Sequence, residues 1–242
     1  TQVTDSLANQ TRMTYDSLSR KLTMDDRDMG RWTYAYDAVD NLTQQTDARG
    51  VSGAFSYDNL DRLIQNTSTV PAGSGIANPG AVTYTYDDPA KTFSKGQLTA
   101  ISGGTGSSSF EFDNLGHVIQ ETKTVDGTPY VFQGGFDLLE RLTSLTYPDR
   151  ETVAYTYNAQ GGLERIASAA TTYVSNIDYN AADQPLKLIL GNDVITDYTY
   201  DPQTLRLSSL RTSNSELHTL QDFRYTYDKV GNMTKVDDLT TA

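Results

Sequence analysis

The chain holds few side chains with which acid–base or metal chemistry could be built. Its two histidines, His117 and His218, lie about a hundred residues apart in unlike local sequence. They form neither a Ser-His-Asp arrangement nor a metal-ligand spacing. Neighbouring carboxylates such as Asp237 and Asp238 are the residue types that glycosidases use as acid and base. Most of the aspartates, however, stand in turn sequences, so we expect a protein that is not an enzyme and that has no catalytic residue and no cofactor.

An acidic cluster at residues 24–30, "MDDRDMG", contains side chains of the type that bind calcium. It lacks the alternating ligand order and the closing Glu of an EF-hand loop. We therefore expect a turn between two strands at this point and no metal site.

Trp32 is the single tryptophan of the chain. It lies two residues before Tyr34 and would share its face in an extended strand. Lectin sites often use such rings as stacking platforms, which makes Trp32 a candidate sugar contact and a cell-surface glycan a candidate partner. The alternative is that the ring packs against aromatic neighbours of its own sheet.

The overall composition excludes several classes of partner. Lys and Arg total 19 against 31 Asp and Glu, which gives a net charge of -12. Such a chain is repelled by phosphate backbones, so we expect no nucleic-acid partner. The absence of cysteine excludes disulfides and thiolate metal sites. No apolar run approaches the roughly 20 residues of a membrane span. Because the N-terminus lacks Met and signal-peptide features, we expect a piece of a longer protein.

The strands and turns of the chain are set by a recurring sequence phrase, Tyr-x-Tyr-Asp. Its base period is 21 residues, lengthened in places by insertions. The aromatic residue before the Asp or Asn falls at ten positions: Tyr15, Tyr36, Tyr57, Tyr86, Phe112, Phe136, Tyr157, Tyr179, Tyr200 and Tyr227. An apolar residue follows six or seven positions later, except where the insertion "DPAKTFSKG" displaces Leu98. The repeated aromatic residues are therefore predicted to be structural.

A turn is predicted between these two landmarks. Asp113 and Asp228 open it in "FDNLGHV" and "YDKVGNM", and Gly116 and Gly231 follow three residues later. The Asp side chain can accept hydrogen bonds from the turn backbone, and Gly tolerates the positive φ that closes a tight hairpin. Short polar residues take the place of Gly in other repeats: Asp40 and Asp61.

A second turn signal appears about half a period later, at residues 47–50, 125–128, 147–150 and 190–193. Two turns per period leave two short strands, so ten repeats predict about twenty antiparallel strands and an all-β ribbon almost free of helix. The paired aromatics of one phrase share a sheet face, and we expect the rings of neighbouring repeats to stack into ladders. The Gly- and Ser-rich stretches at residues 70–80 and 101–109 are predicted to be loops that bulge from the sheet edge.

Three segments resemble a known motif: "YDNLDRLIQNT" at residues 57–67, "FDNLGHVIQET" at 112–122 and "FDLLERLTSL" at 136–145. They are similar to the YD motif of RHS proteins, which runs Tyr-Asp, a short turn often with Gly, Arg, then Leu. The resemblance covers essentially the whole chain. Asn158 and Asn180 depart from it by replacing the Asp. His117 occupies the usual Arg position and is expected to be a solvated strand residue.

The resemblance implies a long β-ribbon that spirals into a hollow shell. Family members include bacterial polymorphic toxins, the B and C components of Tc toxins, wall-associated toxins and teneurins. In bacterial members the shell encloses a C-terminal toxic domain, which an aspartyl autoprotease in a terminal core region cuts free. That core region looks absent here, and Asp201 with Pro202 fits a YD turn and not a cleavage site.

The resulting hypothesis is that residues 1–242 are a shell segment of ten RHS/YD repeats from a secreted bacterial toxin. Its partners would be other segments of the parent shell and an enclosed effector domain, at a secreted or cell-surface location. The alternative is an extracellular carbohydrate-binding or adhesion module that uses the aromatic strand face.

Overall fold

Short extended segments separated by tight turns have to pair with their neighbours in sequence. The computed structural model describes residues 1–240, and these form 21 strands and no helix. The prediction of an all-β chain with about twenty antiparallel strands is confirmed. No segment of the described residues forms a helix with the length and apolarity needed to cross a bilayer.

The chain divides into two compact units, Thr1–Val131 and Phe132–Ala242. The strands of unit 1 are β1 Gln2–Thr4, β2 Gln10–Tyr15, β3 Lys21–Asp26, β4 Gly30–Tyr36, β5 Leu42–Thr46, β6 Ser52–Tyr57, β7 Leu63–Thr69, β8 Ala81–Tyr86, β9 Leu98–Gly103, β10 Gly106–Phe112 and β11 Val118–Val125. In unit 1 each strand pairs antiparallel with the next one, from β1 to β11.

Unit 2 repeats this meander. Its strands are β12 Thr128–Phe136, β13 Leu142–Thr146, β14 Thr152–Tyr157, β15 Leu163–Ala167, β16 Thr172–Tyr179, β17 Pro185–Leu190, β18 Ile195–Tyr200, β19 Leu207–Ser213, β20 Thr219–Tyr227 and β21 Met233–Asp238, the first of which begins in unit 1. From β12 to β21 each strand again pairs antiparallel with the next. Every even-numbered strand ends at one of the ten repeat aromatics, so the aromatic residue marks the entry to a turn.

Burial alternates along the strands and leaves each unit without a central core. In β4 the rings of Trp32, Tyr34 and Tyr36 are half-buried, whereas Thr33 and Ala35 between them are exposed. The buried apolar residues of the described chain are few: Phe112, Val153 and Ala167. Because the described residues place no second layer of strands on either face, the aromatic face makes most of its apolar contacts within the sheet itself.

The insertion at residues 88–96 folds back onto its own hairpins. The Lys91 ammonium donates hydrogen bonds to the carbonyls of Thr99, at 3.2 Å, and Phe110, at 2.9 Å. The Ser94 hydroxyl donates to the Asp88 carbonyl at 2.7 Å. Thr99 is completely buried and donates through Oγ1 to Thr85 O at 3.0 Å. The insertion is therefore an ordered cover over a small part of the sheet.

One of the two predicted loops is in fact a hairpin. Residues 70–80 do connect β7 to β8 as a loop, but residues 101–109 lie mostly in β9 and β10, which are joined by a tight turn at Gly104. The prediction of a loop there was wrong because the serines of β10 pair on both sides, with β9 and β11. At Gly106 a Cβ would collide with the carbonyl oxygen of Thr124, so glycine allows the close pairing of β10 with β11.

Candidate functional site

The repeated YD turn is a hydrogen-bonded cap built by one carboxylate. In the first repeat Asp16 Oδ1 accepts hydrogen bonds from the backbone N–H groups of Leu18 and Arg20, both at 2.9 Å. Asp16 Oδ2 accepts a third from Arg20 Nε at 2.6 Å. The same pattern, with Arg, Asn or His as the fourth residue after the Asp, recurs at six other turns: Asp5, Asp37, Asp58, Asp113, Asp137 and Asp228.

The third residue after the Asp closes the turn in a left-handed conformation. Gly116 has φ of 91° and Gly231 has φ of 100°. Asp40 and Asp61 adopt φ of 72° and 58° at the equivalent position. At Gly231 an added Cβ would lie 2.7 Å from Arg206 Nη2, so a side chain there meets both backbone strain and a steric contact.

A β-bulge accompanies each of these hairpins. Tyr36 pairs with Leu42 whereas Ala35 pairs with Gln44, which leaves Thr43 as the extra residue. In unit 2 the corresponding bulge residue, Thr143, donates a hydrogen bond through Oγ1 to Gly135 O at 3.1 Å. The bulge bends the strand where the repeat aromatic ends it.

The repeat tyrosines bind the preceding repeat through their hydroxyl groups. Tyr57 OH donates to Leu42 O at 2.9 Å, and Leu42 begins the return strand of the repeat before. Five further tyrosines do the same at 2.8–3.0 Å: Tyr36, Tyr157, Tyr179, Tyr200 and Tyr227. We call these six hydrogen bonds the tyrosine latch. Burial raises the pKa of Tyr57, so the phenol stays protonated and able to donate at neutral pH.

The arginine of the turn makes a second kind of contact between successive repeats. Arg62 lies over the ring of Tyr86 in the next repeat, with its guanidinium carbon 4.3 Å from the ring centroid. It also contacts Asp58 and Asp87, at 2.7 and 2.6 Å. Three other pairs have this arrangement: Arg20 with Tyr36, Arg141 with Tyr157, and Arg206 with Tyr227. Within each unit the phrase therefore ties most repeats to a neighbour.

These links replace the ring ladders that the sequence predicted. Within the units, the described ring–ring contacts join Trp32 to Tyr34 and Phe132 to Tyr147, and neither joins the aromatics of successive YD phrases. Within each unit a return strand lies between successive aromatic strands and separates them by about 9–10 Å, which does not favour the predicted ladder. An arginine or a phenol hydroxyl bridges that distance, whereas direct ring stacking does not.

His117 takes part in the turn and is not solvated. Its Nδ1 lies 2.8 Å from Asp113 Oδ2, and its side chain is 17% exposed, so the expectation of a solvated residue is wrong. His218 is exposed and lies 3.4 Å from Glu216 Oε2. In the described part of the chain no group of three or more metal-ligating side chains comes together.

The other candidate positions lie in turns. Residues 24–30 contain the turn between β3 and β4, as predicted, with Asp26 Oδ1 accepting from the N–H groups of Asp28 and Met29. Asp201 accepts hydrogen bonds from Gln203 and Thr204 in the turn that follows β18. Both carboxylates are occupied by turn backbone.

Trp32 packs against an aromatic neighbour of its own sheet, and the interpretation as a sugar contact stays a prediction. Its ring stacks on Tyr34, with centroids 6.5 Å apart and planes at 18°. It also lines a cleft of about 200 Å³ together with Phe55, Gln45 and Asn66. Asn66 Oδ1 is buried and has no hydrogen-bond partner among the described residues. The cleft thus offers an aromatic surface and an unused acceptor.

A model of the family described as RHS Repeat matches residues 31–74. Toxin subunit YenC1 of Yersinia entomophaga is 39% identical over 82 residues, which are 32% of this chain and 8% of that protein. Toxin subunit YenC2 of the same organism is 38% identical over 82 residues, with the same coverage. The predicted resemblance to RHS/YD-repeat proteins is confirmed, and the chain spans less than a tenth of the length of these relatives.

Solved structures share the fold over nearly the whole chain. A crystal structure of TcdB2-TccC3-TEV superposes with a TM-score of 0.79 over 95% of this chain and 12% of that chain, at 22% identity. A crystal structure of TcdB2-TccC3 gives 0.78 over 100% of this chain and 15% of that chain, at 20% identity. A Photorhabdus luminescens Tc holotoxin pore gives 0.78 over 97% and 14%, also at 20% identity. At this level of identity the likeness establishes the fold.

Proposed function

Taking the chain as a run of RHS repeats, we propose that it is a non-enzymatic wall segment of a secreted bacterial toxin. In this role it encloses a separate effector domain and helps to deliver it. The observation that carries the proposal is the tyrosine latch, because its six hydrogen bonds use the repeated phrase to join one repeat to the next. A wall needs continuity of this kind, and repeat proteins obtain most of their stability from such neighbour contacts.

The turn carboxylates support a structural role as well. The hydrogen bond from the backbone N–H of Arg62 lowers the pKa of Asp58, and the side chain of Arg141 lowers that of Asp137. A general acid at neutral pH requires a raised pKa. The repeated aspartates are therefore suited to accept hydrogen bonds and poorly suited to transfer protons.

An exposed apolar row supports further segments of the parent protein as partners. Leu or Val occupies the second position after the turn Asp in several repeats. Leu60 is 70% exposed and Val230 is 81% exposed. Equivalent exposed residues are Leu18, Val39, Leu115 and Leu139. Repeated apolar side chains in solvent indicate a surface that another polypeptide covers.

The proposal is tested by protection of the effector from protease. In the parent protein that contains this segment, we expect the effector region to resist limited proteolysis. The double variant Tyr157→Phe and Tyr179→Phe removes two latch bonds and should make that region cleavable. The matched control, Tyr84→Phe with Tyr198→Phe, changes phenols outside the latch and should leave protection intact. Cleavage of the unaltered protein at the effector would contradict enclosure.

A second candidate function rests on the Trp32 cleft. The buried, unpaired Asn66 Oδ1 beside the indole is an acceptor that a sugar hydroxyl would satisfy. This observation favours an extracellular carbohydrate-binding or adhesion module. A glycan array separates the two: selective sub-millimolar binding that Trp32→Ala abolishes supports the module, and an array without selective binding removes it.

A further inference from the structure

A larger cleft lies in unit 2, on the face that carries Tyr155. It is an open cleft of about 550 Å³ and is lined by four aromatic rings: Phe132, Tyr147, Tyr155 and Tyr173. The buried side chain of Val153 also lines it. A volume of this size is typical of a small-molecule site. Neither the repeat pattern nor the wall role requires such a cleft.

The aromatic lining supplies π electron density, which attracts cations. Phe132 and Tyr147 are nearly perpendicular, with centroids 6.1 Å apart and planes at 73°. Each ring face carries the negative lobe of its quadrupole. The charged side chains that line the cleft are two carboxylates, Asp149 and Glu151. A cation is therefore the ligand that both the rings and the charges favour.

The hydrogen bonds of the cleft decide which kind of cation fits. Tyr173 OH donates to Glu151 Oε1 at 2.6 Å, and Asp149 Oδ1 accepts from the N–H of Glu151 at 3.0 Å. One oxygen of each carboxylate is therefore already engaged. A primary ammonium brings three N–H donors and a guanidinium brings five, and most of the remaining lining is aromatic or aliphatic. A quaternary ammonium has no N–H to satisfy and binds well over aromatic faces.

We propose that this cleft binds a quaternary ammonium group, such as the trimethylammonium head of choline. The rings contact the methyl groups, and Glu151 and Asp149 balance the charge. The Tyr173 hydroxyl acts as a positioning group that holds the Glu151 carboxylate beside the rings. Its hydrogen bond to Glu151 raises the pKa of Tyr173, which keeps the phenol protonated in neutral solution. The site is independent of the wall role and of the Trp32 cleft.

Calorimetric titration of the 242-residue chain tests the proposal with a neutral isostere. Choline chloride and tetramethylammonium chloride should bind at least about tenfold more tightly than 3,3-dimethylbutan-1-ol, which has the shape of choline without its charge. The affinity should fall as sodium chloride is added, because part of the attraction is ionic. Equal binding of choline and the alcohol, or no binding of either cation, would overturn the proposal.

Variants locate the binding in the cleft. Tyr155→Leu and Glu151→Gln should each weaken choline binding by about tenfold, whereas Tyr198→Leu and Glu164→Gln should not change it. If the circular dichroism of Tyr155→Leu shows that this variant has lost its β structure, binding is measured instead in Glu151→Gln and Tyr173→Phe, which alter few atoms. Choline affinity that is unchanged in both of these would overturn the assignment.

A last comparison identifies the source of the cation. The two carboxylates repel a phosphate, so free choline should bind more tightly than phosphocholine, and phosphatidylcholine vesicles should retain little protein. Retention on vesicles without any affinity for free choline would contradict the proposal, as would a neutral oligosaccharide that binds in competition at this cleft.

Discussion

The YD turns and the second turns lie at opposite ends of the same strands, and the YD turns are the more uniform of the two. In six YD turns a carboxylate caps the backbone in the same way, as Asp58 does, and six of the repeat tyrosines form the latch. The second turns vary: one, at Asp47, repeats the carboxylate cap, one is the loop at residues 70–80, one the tight turn at Gly104, and one the turn that follows Tyr147. Both aromatic clefts contain side chains of second turns, Asp47 in one and Tyr147 in the other. One end of the strands thus carries the repeat contacts, and residues of the other end line the two aromatic clefts.

The largest expected effect is that of acid on the YD turns. Hydrogen bonds lower the folded-state pKa of Asp16, Asp58, Asp137 and Asp228 below the ordinary value of an aspartate. Groups with depressed folded pKa values stabilise the fold above the unfolded pKa, and this stability is lost as the pH falls through the folded values. We expect stability to decline below about pH 4.

Two repeats provide an internal control for this acid effect, because Asn158 and Asn180 do not titrate. Hydrogen exchange measured at decreasing pH should show the hairpin β6–β7, capped by Asp58, losing protection before the hairpins β14–β15 and β16–β17. Simultaneous loss in all three would mean that the turn carboxylates do not control local stability.

Removal of one turn carboxylate should destabilise more than removal of a polar residue at a second turn. Asp58→Ala deletes three hydrogen bonds and one anchor of Arg62, so we expect the melting temperature to fall by several degrees. Asn192→Ala removes one long bond to the N–H of Val194, at 3.4 Å, and should change it little. Thermal melts followed by circular dichroism make the comparison, and equal shifts would remove the distinction between the two kinds of turn.

Glycines at YD turns should tolerate a side chain less well than those in the variable loops. Gly231→Val and Gly116→Val are expected to destabilise by about 1 kcal/mol or more, because a β-branched residue is strained at positive φ. Gly73 also has positive φ, but an added Cβ there has nothing within 4 Å. Gly73→Val should therefore cost less in urea unfolding, since its loop can readjust. If Gly73→Val and Gly231→Val lower the free energy of unfolding equally, backbone strain alone would account for the destabilisation at both positions.

The smallest expected effect concerns the arginine above the ring. Arg141→Gln removes the contact with Tyr157, at 4.3 Å, and the bridge to Asp137. The pair is partly solvated, so the loss of stability should be modest and should shrink as salt is added. A salt-independent loss would assign the role of Arg141 to packing.

The part of the fold that could be predicted is the part fixed by local chemistry. The period, the strand ends at residues such as Tyr57, and the fold class follow from turn residues that act within four positions. The tyrosine latch was missed because the partner of Tyr57 is a carbonyl 15 residues away, at Leu42. The restriction of the phrase mainly to Tyr, with Phe at only two of ten positions, was the available signal.

Features that depend on pairing across the sheet were also beyond local reasoning. Residues 101–109 have the composition of a loop, yet pairing with strands on both sides makes most of them extended. The cleft in unit 2 collects Phe132, Tyr147 and Tyr173 from three different places along the chain. In sequence Tyr147 resembles only the first residue of a Tyr-Pro-Asp turn.

The central claim is that the last tyrosine of the phrase joins successive repeats, and urea unfolding of two matched chains tests it most directly. One chain carries Phe at four latch positions, Tyr57, Tyr157, Tyr179 and Tyr227. The other carries Phe at four positions that lie two residues before a repeat tyrosine, Tyr34, Tyr84, Tyr198 and Tyr225. Each lost latch bond should cost about 1 kcal/mol, so the first chain should unfold at clearly lower urea than the second. Equal midpoints in the two chains would contradict the account.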